Sequence, residues 1–421
     1  MCDVAVVGAG AAGLMAAIAA TANPGAQPPP SVVVVDGART LGAKILVAGG
    51  GRCNVTHHAV DEHQYAGSTP HAIRKVLRRF DVPDTVAFFK NLGVELKREE
   101  TGKLFPTTDT ARTVLDALLR AAAGARILHP WRVAAIDHRS EAEFPFRVIA
   151  ADATLRAISA RRVILATGGM ALPRSGSDGA GYAFAKLLGH SVTPHVFPAL
   201  VPLVLEKGHW ITGLSGISAT VTLELQSGTG KRLKSFTNAL LCTHVGVSGP
   251  CAMDMSRYLA AARHDDPGAG LSVNWLPGET RETLDTALVG LGKGTPERYL
   301  RQRGLPERLA EALCRAAGVD PAMPGHVLPR DTRRALAALV IATPVPVTGD
   351  RGFTYAEVTA GGVPLSEVHL DTMESRCCPG LHLCGEILDV DGRIGGFNFQ
   401  WAWASGHVAG TAASRAIHSP T

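Results

Sequence analysis

The chain has 421 residues, 46% of them apolar and only 19% charged, with 46 glycines and 26 prolines. This excludes a disordered or fibrous polypeptide and leaves room for a sizeable core, in two domains or in one large domain with an insertion. With 42 basic and 37 acidic side chains the net charge is +5, compatible with an anionic small molecule or RNA and diagnostic of neither.

Asp3–Val7 reads as a short buried strand that runs straight into Gly8-Ala9-Gly10-Ala11-Ala12-Gly13 and an alanine-rich helix from about Ala12 to Thr21. A connector through Pro28-Pro29-Pro30 leads to a second buried strand, Val32–Val35, which ends on Asp36. The charge-free run from Asp3 to Asp36 is long enough to raise a membrane span. Its glycine and proline breaks and the absence of a basic leader predict a soluble βα unit instead. The βαβ order predicts a parallel sheet.

Further along, Arg74–Phe80 and Val114–Ala123 are expected helices. Arg126–Ile136 is an expected strand bent at Pro130, and Arg162–Ala166 is a buried strand closing on Thr167-Gly168-Gly169. The texture changes around Pro194–Pro202. Thr220–Leu225 alternates like an antiparallel strand, whereas Thr280–Leu339 is dominated by arginine- and alanine-rich helical stretches. Glycine-rich βα patterning returns at Val358–Val363 and Leu381–Gly410. A module at 190–345 is therefore expected inside a discontinuous nucleotide-binding domain, 1–189 and 346–421. The eight cysteines show neither CxxC pairs nor zinc-finger spacing, which predicts reduced thiols in a cytoplasmic protein and no metal.

Gly8, Gly10 and Gly13 form GxGxxG between a strand and a helix. Its glycines permit the turn, the approach of a pyrophosphate and close helix–strand packing, with Ala12 inside the same turn. Asp36 can accept from a ribose hydroxyl and disfavours a 2′-phosphate, so FAD or NAD fits better than NADP. Gly37 follows it. Three segments then favour FAD. Gly42–Thr56 (GAKILVAGGGRCNVT) carries Lys44 and Arg52 for the pyrophosphate or the flavin N1–O2 edge, beside Gly50, Gly51, Cys53 and Asn54. Val163–Gly169 (VILATGG) offers Thr167, Gly168 and Gly169, and Val133 is a further expected contact. Leu383–Gly410 offers Gly385, then Glu386 and Asp391 as ribityl acceptors. Its Gly395 and Gly396 lead into a helix beginning near Phe397 and Asn398, whose positive end can stabilise the anion of reduced flavin. Phe397, Phe399, Trp401 and Trp403 read as core packing.

At these residues the chain resembles the BaiN/RdsA-type NAD(P)/FAD-dependent oxidoreductases. The matching segments run from GAGAAGL through AKILVAGGGRCNVT, LFPTTDTARTVLDAL and VILATGGMALPRSGSDGAGYAFAKLLGH. They continue with PALVPL, THVGVSGP, VTGDRGF, VTAGGV and TMESR, and end in PGLHLCGEILDVDGRIGGFNFQWAWASG, spanning nearly the whole chain. The resemblance implies an α/β fold: a Rossmann-like, two-dinucleotide-binding-type FAD domain with a parallel sheet. This is interrupted by a β-barrel-like part (about 190–275) and a helical part (about 276–345). It implies bound FAD, NAD(P)H as a transient reductant, and reduction of carbon–carbon double bonds, in bile-acid intermediates for one branch and in a ribosomal RNA uracil for another. The vicinal Cys377-Cys378 and the arginine-rich insert lie outside the recognised pattern.

The leading expectation is hydride transfer from NAD(P)H-reduced flavin to an activated C=C bond. The alternatives are a dihydrouridine synthase acting on ribosomal RNA, and a non-catalytic flavin-carrying RNA-binding or redox-sensing protein. Cys53 is the thiol candidate for the proton donor, with Arg52 expected to favour its thiolate; the alternative is a small cysteine buried under the flavin. His244, in THVGVSGP, can donate a proton or hold a carbonyl, or be structural. Arg74, Lys75, Arg78 and Arg79 cluster without nearby acids in sequence, and residues 296–334 carry eight arginines against five acids. Both read as a phosphate track for RNA or as solvated helix faces.

Overall fold

Valine-rich runs lose rotamer freedom in a helix and pack well in a sheet covered on both faces. In the computed structural model, which describes residues 1–22, 29–152 and 156–415, these runs are the central strands. Pro28 of the connector lies outside the described residues. In chain order, the elements that position the site are β1 (Cys2–Val7), α1 (Ala11–Thr21), β2 (Val32–Val35), β3 (Arg126–Leu128), β4 (Ala157–Leu165), β5 (Leu381–Leu383) and α2 (Phe397–Arg415). The strands run parallel in the order β5-β4-β1-β2-β3. α1 and α2 pack against one another, and both are buried over most of their length.

The expected strand 126–136 is split. Arg126–Leu128 extends the parallel strands, whereas Val133–His138 pairs antiparallel with Phe146–Ala150, which in turn pairs antiparallel with β4. Pro130 has no N–H for a ladder, and the next amide, Trp131 N–H, donates to the Asp36 carbonyl at 2.6 Å instead. The expected helices 74–80 and 114–123 are Pro70–Leu77 and Ala111–Ala121, started by Thr69 and Thr110, whose side chains accept from the first turn.

The chain divides into two compact units, Met1–Phe197 with Glu357–Thr421, and Pro198–Ala356. The second unit starts and ends later than residues 190 and 345, because Val347–Asp350 is an edge strand of its own sheet. That sheet has seven strands around the antiparallel pair Ser218–Gln226 and Arg232–Thr243. Its two edges, Thr343–Val345 and Val347–Asp350, are separated in sequence by Pro346 alone, so the sheet curls round on itself in the manner of a barrel. Helices Arg281–Val289, Pro296–Gln302, Glu307–Ala316 and Arg330–Ile341 lie in the chain between its strands Gly270–Asn274 and Thr343–Val345, and the apolar core includes Leu223, Val273, Trp275 and Leu313.

Candidate functional site

The parallel strands place their carboxyl ends along one edge, the side on which open α/β sheets bind their ligands. β1 ends in the turn Gly8–Gly10. A Cβ on Gly13 would sit 1.8 Å from the Gly8 carbonyl oxygen, which is why strand and helix can meet so closely only with glycine there. A Cβ on Gly10, by contrast, would meet no atom within 4 Å, so space is open at the α1 N-terminus. That helix has no side-chain cap and no acid in its first turn. Its positive end is left for an anion.

At the end of β2, one Asp36 oxygen accepts the Ala9 N–H at 2.6 Å and the other the Ala38 N–H at 2.7 Å. A carboxylate has about four acceptor sites, so capacity remains for a ribose. Gly37 lies flush against Arg132, and Val133 opens the strand beyond it.

At the end of β4, Thr167, Gly168 and Gly169 pass beside two polar side chains, Ser177 and Thr359, that sequence reasoning missed. The Ser177 hydroxyl is buried without a hydrogen-bond partner among the described residues and lies 2.5 Å from where a Gly168 Cβ would be. Gly169 sits against Thr359, whose hydroxyl accepts the N–H groups of Met170 and Ala171 at 2.7 and 3.0 Å. At the end of β5, Gly385 packs on Ala12, and Glu386 forms an ion pair with Lys44 at 2.5 Å. Its other oxygen accepts the Thr359 N–H at 3.0 Å. Lys44 and Glu386, expected to act separately, are thus one unit. Tyr182 is a third group that the sequence did not reveal. Its hydroxyl is buried and unpartnered among the described residues, and its pKa is driven upward first by burial, then by the charges of Glu386 and Asp389. It carries its proton at neutral pH and can donate to a bound group. The only signal for Ser177 and Tyr182 was their place in SGSDGAGYAF, and polar residues give no sequence sign of being buried.

A second group surrounds the start of α2. Gly395 and Gly396 lead into it, with Gly396 against the Thr56 backbone. Phe397 is buried, stacks on His57 with ring centroids 5.0 Å apart, and has its carbonyl held by the Tyr65 hydroxyl at 2.8 Å. The Asn398 amide pairs with both backbone groups of Gly392 at 2.8 and 2.9 Å. Asp391 is buried in the adjoining strand Val390–Gly392. Trp401 and Trp403 are core residues whose indole N–H groups donate to the carbonyls of Gly385 and Val55. Nearby, Gly50 and Gly51 take left-handed backbone in an irregular loop, and Asn54 Oδ1 is buried without a partner among the described residues.

Two expectations are corrected by this geometry. Arg52 does not favour a thiolate at Cys53. Its guanidinium binds Glu99 at 2.6 Å and lies 4.0 Å over the Phe105 ring, while burial pushes the Cys53 thiol up to about 12. The basic cluster is not free of acids either, since Lys75 and Arg79 both pair with Asp371, and Arg74 with Glu62. The fourth residue, Arg78, is exposed. His244 lies in the inserted unit, exposed on the two-residue turn between Arg232–Thr243 and Gly246–Ser248.

FAD fits the residues of the first unit. The open space at Gly10 precedes a helix N-terminus, Asp36 keeps acceptor capacity, and Ser177, Tyr182 and Asn54 have buried polar atoms to satisfy. Fold and site define an FAD-dependent oxidoreductase on a Rossmann-type scaffold. The model of the HI0933-like protein Rossmann domain matches residues 2–412, and the chain belongs to that family. It is 35% identical over 419 residues to the 3-dehydro-bile acid delta(4,6)-reductase of Clostridium scindens, covering 98% of each chain. It is also 31% identical over 408 residues to the ribosomal RNA dihydrouridine synthase of Escherichia coli, covering 96% of each. The FrdA chain of an E. coli quinol fumarate reductase variant shares the fold, with a TM-score of 0.51 at 17% identity, covering all of this chain and 71% of that one. No helix among the described residues is long and apolar enough to cross a membrane.

Proposed function

We infer that the protein reduces a carbon–carbon double bond conjugated to a carbonyl in a small molecule, with NAD(P)H as reductant. The observation that supports this most is the convergence of the Gly8–Gly13 turn, Asp36, Gly168–Gly169 and the Lys44–Glu386 pair on one sheet edge. The chain bearing them aligns end to end with a delta(4,6)-reductase. When bound there, FAD supplies hydride-transfer chemistry. The chain's own residues do the rest. The α1 N-terminus holds a diphosphate, and Asp36 holds a ribose. Tyr182 and Ser177 offer protons for hydrogen bonds, while the α2 N-terminus, with no acid in its first turn, favours an adjacent negative charge. Cys53 stays protonated and fills space. The chain carries one GxGxxG unit, so the nicotinamide docks transiently. All eight cysteines are free thiols, in keeping with a reducing, cytoplasmic setting.

The RNA reading is less favoured because three of the four cations at residues 74–79 are neutralised within the chain. Anaerobic reduction with NADH and with NADPH, followed by re-oxidation with a panel of steroid enones or with ribosomal RNA, tests the choice. Rapid re-oxidation by an enone is expected. Re-oxidation by RNA alone, with dihydrouridine lost from the ribosomal RNA of knockout cells, would overturn the small-molecule assignment.

A further inference from the structure

We propose that His190, Glu367 and Cys377 form a binding site for one zinc-class divalent cation, well away in sequence from the cofactor turn. His190 follows the helix Ala180–Leu187, and its side chain is fully buried. Its Nδ1 is 2.8 Å from a Glu367 oxygen, and its Nε2 has no hydrogen-bond partner among the described residues. Glu367 ends the short turn Leu365–Glu367 and is held in place by Ser191, whose N–H reaches its two oxygens at 3.0 and 3.3 Å and whose hydroxyl also bonds to it. Cys377 lies in the loop after Glu374–Ser375, its amide and that of Cys378 both donating to the Ser375 hydroxyl at 3.0 and 2.8 Å. It sits against the loop that carries the histidine, its Cβ 3.4 Å from where a Gly189 Cβ would be.

One ring nitrogen, one carboxylate oxygen and the thiol lie within 4.8 Å of one another. Tetrahedral zinc holds such atoms at about 2.0–2.3 Å and thus roughly 3.3–3.7 Å apart, so closure needs a shift of about 1 Å. Cys377 is the exposed member of the chain's eight thiols and has the freedom to make it. One nitrogen, one oxygen and one sulfur suit zinc better than calcium or magnesium, which take oxygen sets. A dication also balances the two charges of a thiolate and a carboxylate, and three protein ligands leave a fourth position for water. A cysteine binds a metal as its thiolate, so binding releases a proton. The spacing rules that excluded a metal from the sequence could not see this site, because the histidine and the glutamate are 177 residues apart.

The test is a titration of chelator-treated holoprotein with cobalt(II) chloride and then zinc chloride, followed by difference absorbance against the metal-free sample. A thiolate-to-cobalt charge-transfer band saturating at one cobalt per chain, and bleached by zinc, is expected. Cys377→Ser, at an exposed position, should abolish the band and weaken zinc binding by at least ~10-fold in competition with a chromogenic chelator, while Cys378→Ser keeps both. No band in the unmodified protein, or a band and zinc affinity unchanged in Cys377→Ser, would overturn the proposal.

Discussion

In the unit formed by the two chain ends, Asp36 and Glu386 each engage both carboxylate oxygens, and each takes one backbone amide from a distant segment, Ala9 and Thr359 respectively. In the inserted unit the charged side chains pair mostly with one another at the surface, as Arg301 does with Glu297 and Glu307, Arg303 with Glu279, and Arg315 with Glu311. Its candidate His244 is on an exposed turn. The first arrangement fixes the orientation of the two carboxylates, so that recognition of a ligand's hydroxyls there would need no rearrangement. The second tolerates substitution at little cost, since exposed pairs contribute little to stability. Cofactor chemistry is thus written into the first unit, whereas the sequence of the second leaves the substrate open.

The sharpest way to break this contrast is at the closest contact of the first unit. Gly13→Val forces a side chain into the Gly8 carbonyl and should lower the unfolding free energy by about 3 kcal/mol or more, with loss of flavin, as read by urea denaturation and absorbance. By contrast, trimming the exposed Val289 of the inserted unit, Val289→Ala, should leave both unchanged.

Acid comes next. Burial lowers the pKa of His382, in β5, to about 4 from an ordinary 6.5, against the raising influence of the Thr372 carbonyl and Glu374. Between those values the unfolded chain binds the extra proton. Stability is therefore full above pH 6.5 and falls as pH drops towards 4, by about 3 kcal/mol at most. His382→Gln should flatten that slope in denaturation measured across the window. An unchanged slope would assign the acid sensitivity elsewhere.

Asp36→Ala removes two charge-assisted hydrogen bonds and should cost about 2 kcal/mol together with roughly tenfold weaker FAD binding, measured by equilibrium dialysis. The smallest effect is expected at Arg52. Because its guanidinium faces Glu99 and Asp109, Arg52→Ala should retain full flavin content and an unchanged melting temperature.

What could be read from the sequence follows the range of the interactions. The strand, turn and helix around Gly8–Gly13 and the acid ending Val32–Val35 are set by neighbours, and their secondary structure follows the pattern closely. Arg52 misled because Glu99 is 47 residues away, and the basic cluster because Asp371 lies 292 residues beyond Arg79. Sequence pattern reports the propensity of a segment, not which distant charge will fold against it. Ser177 and Tyr182 were missed for a related reason, since only tertiary packing makes a hydroxyl buried and unpartnered. The break at Pro130 was foreseen as a bend, but the diversion of the following strand into a hairpin depends on the Asp36 carbonyl it meets.

Cradling of the cofactor diphosphate by the opening turn is tested most directly at Gly10, where an added Cβ would meet no atom within 4 Å. Flavin content of purified Gly10→Val, measured by absorbance after incubation with excess FAD and alongside far-ultraviolet circular dichroism, should show a folded protein without flavin. A folded Gly10→Val protein with the same flavin content as the parent would contradict the account.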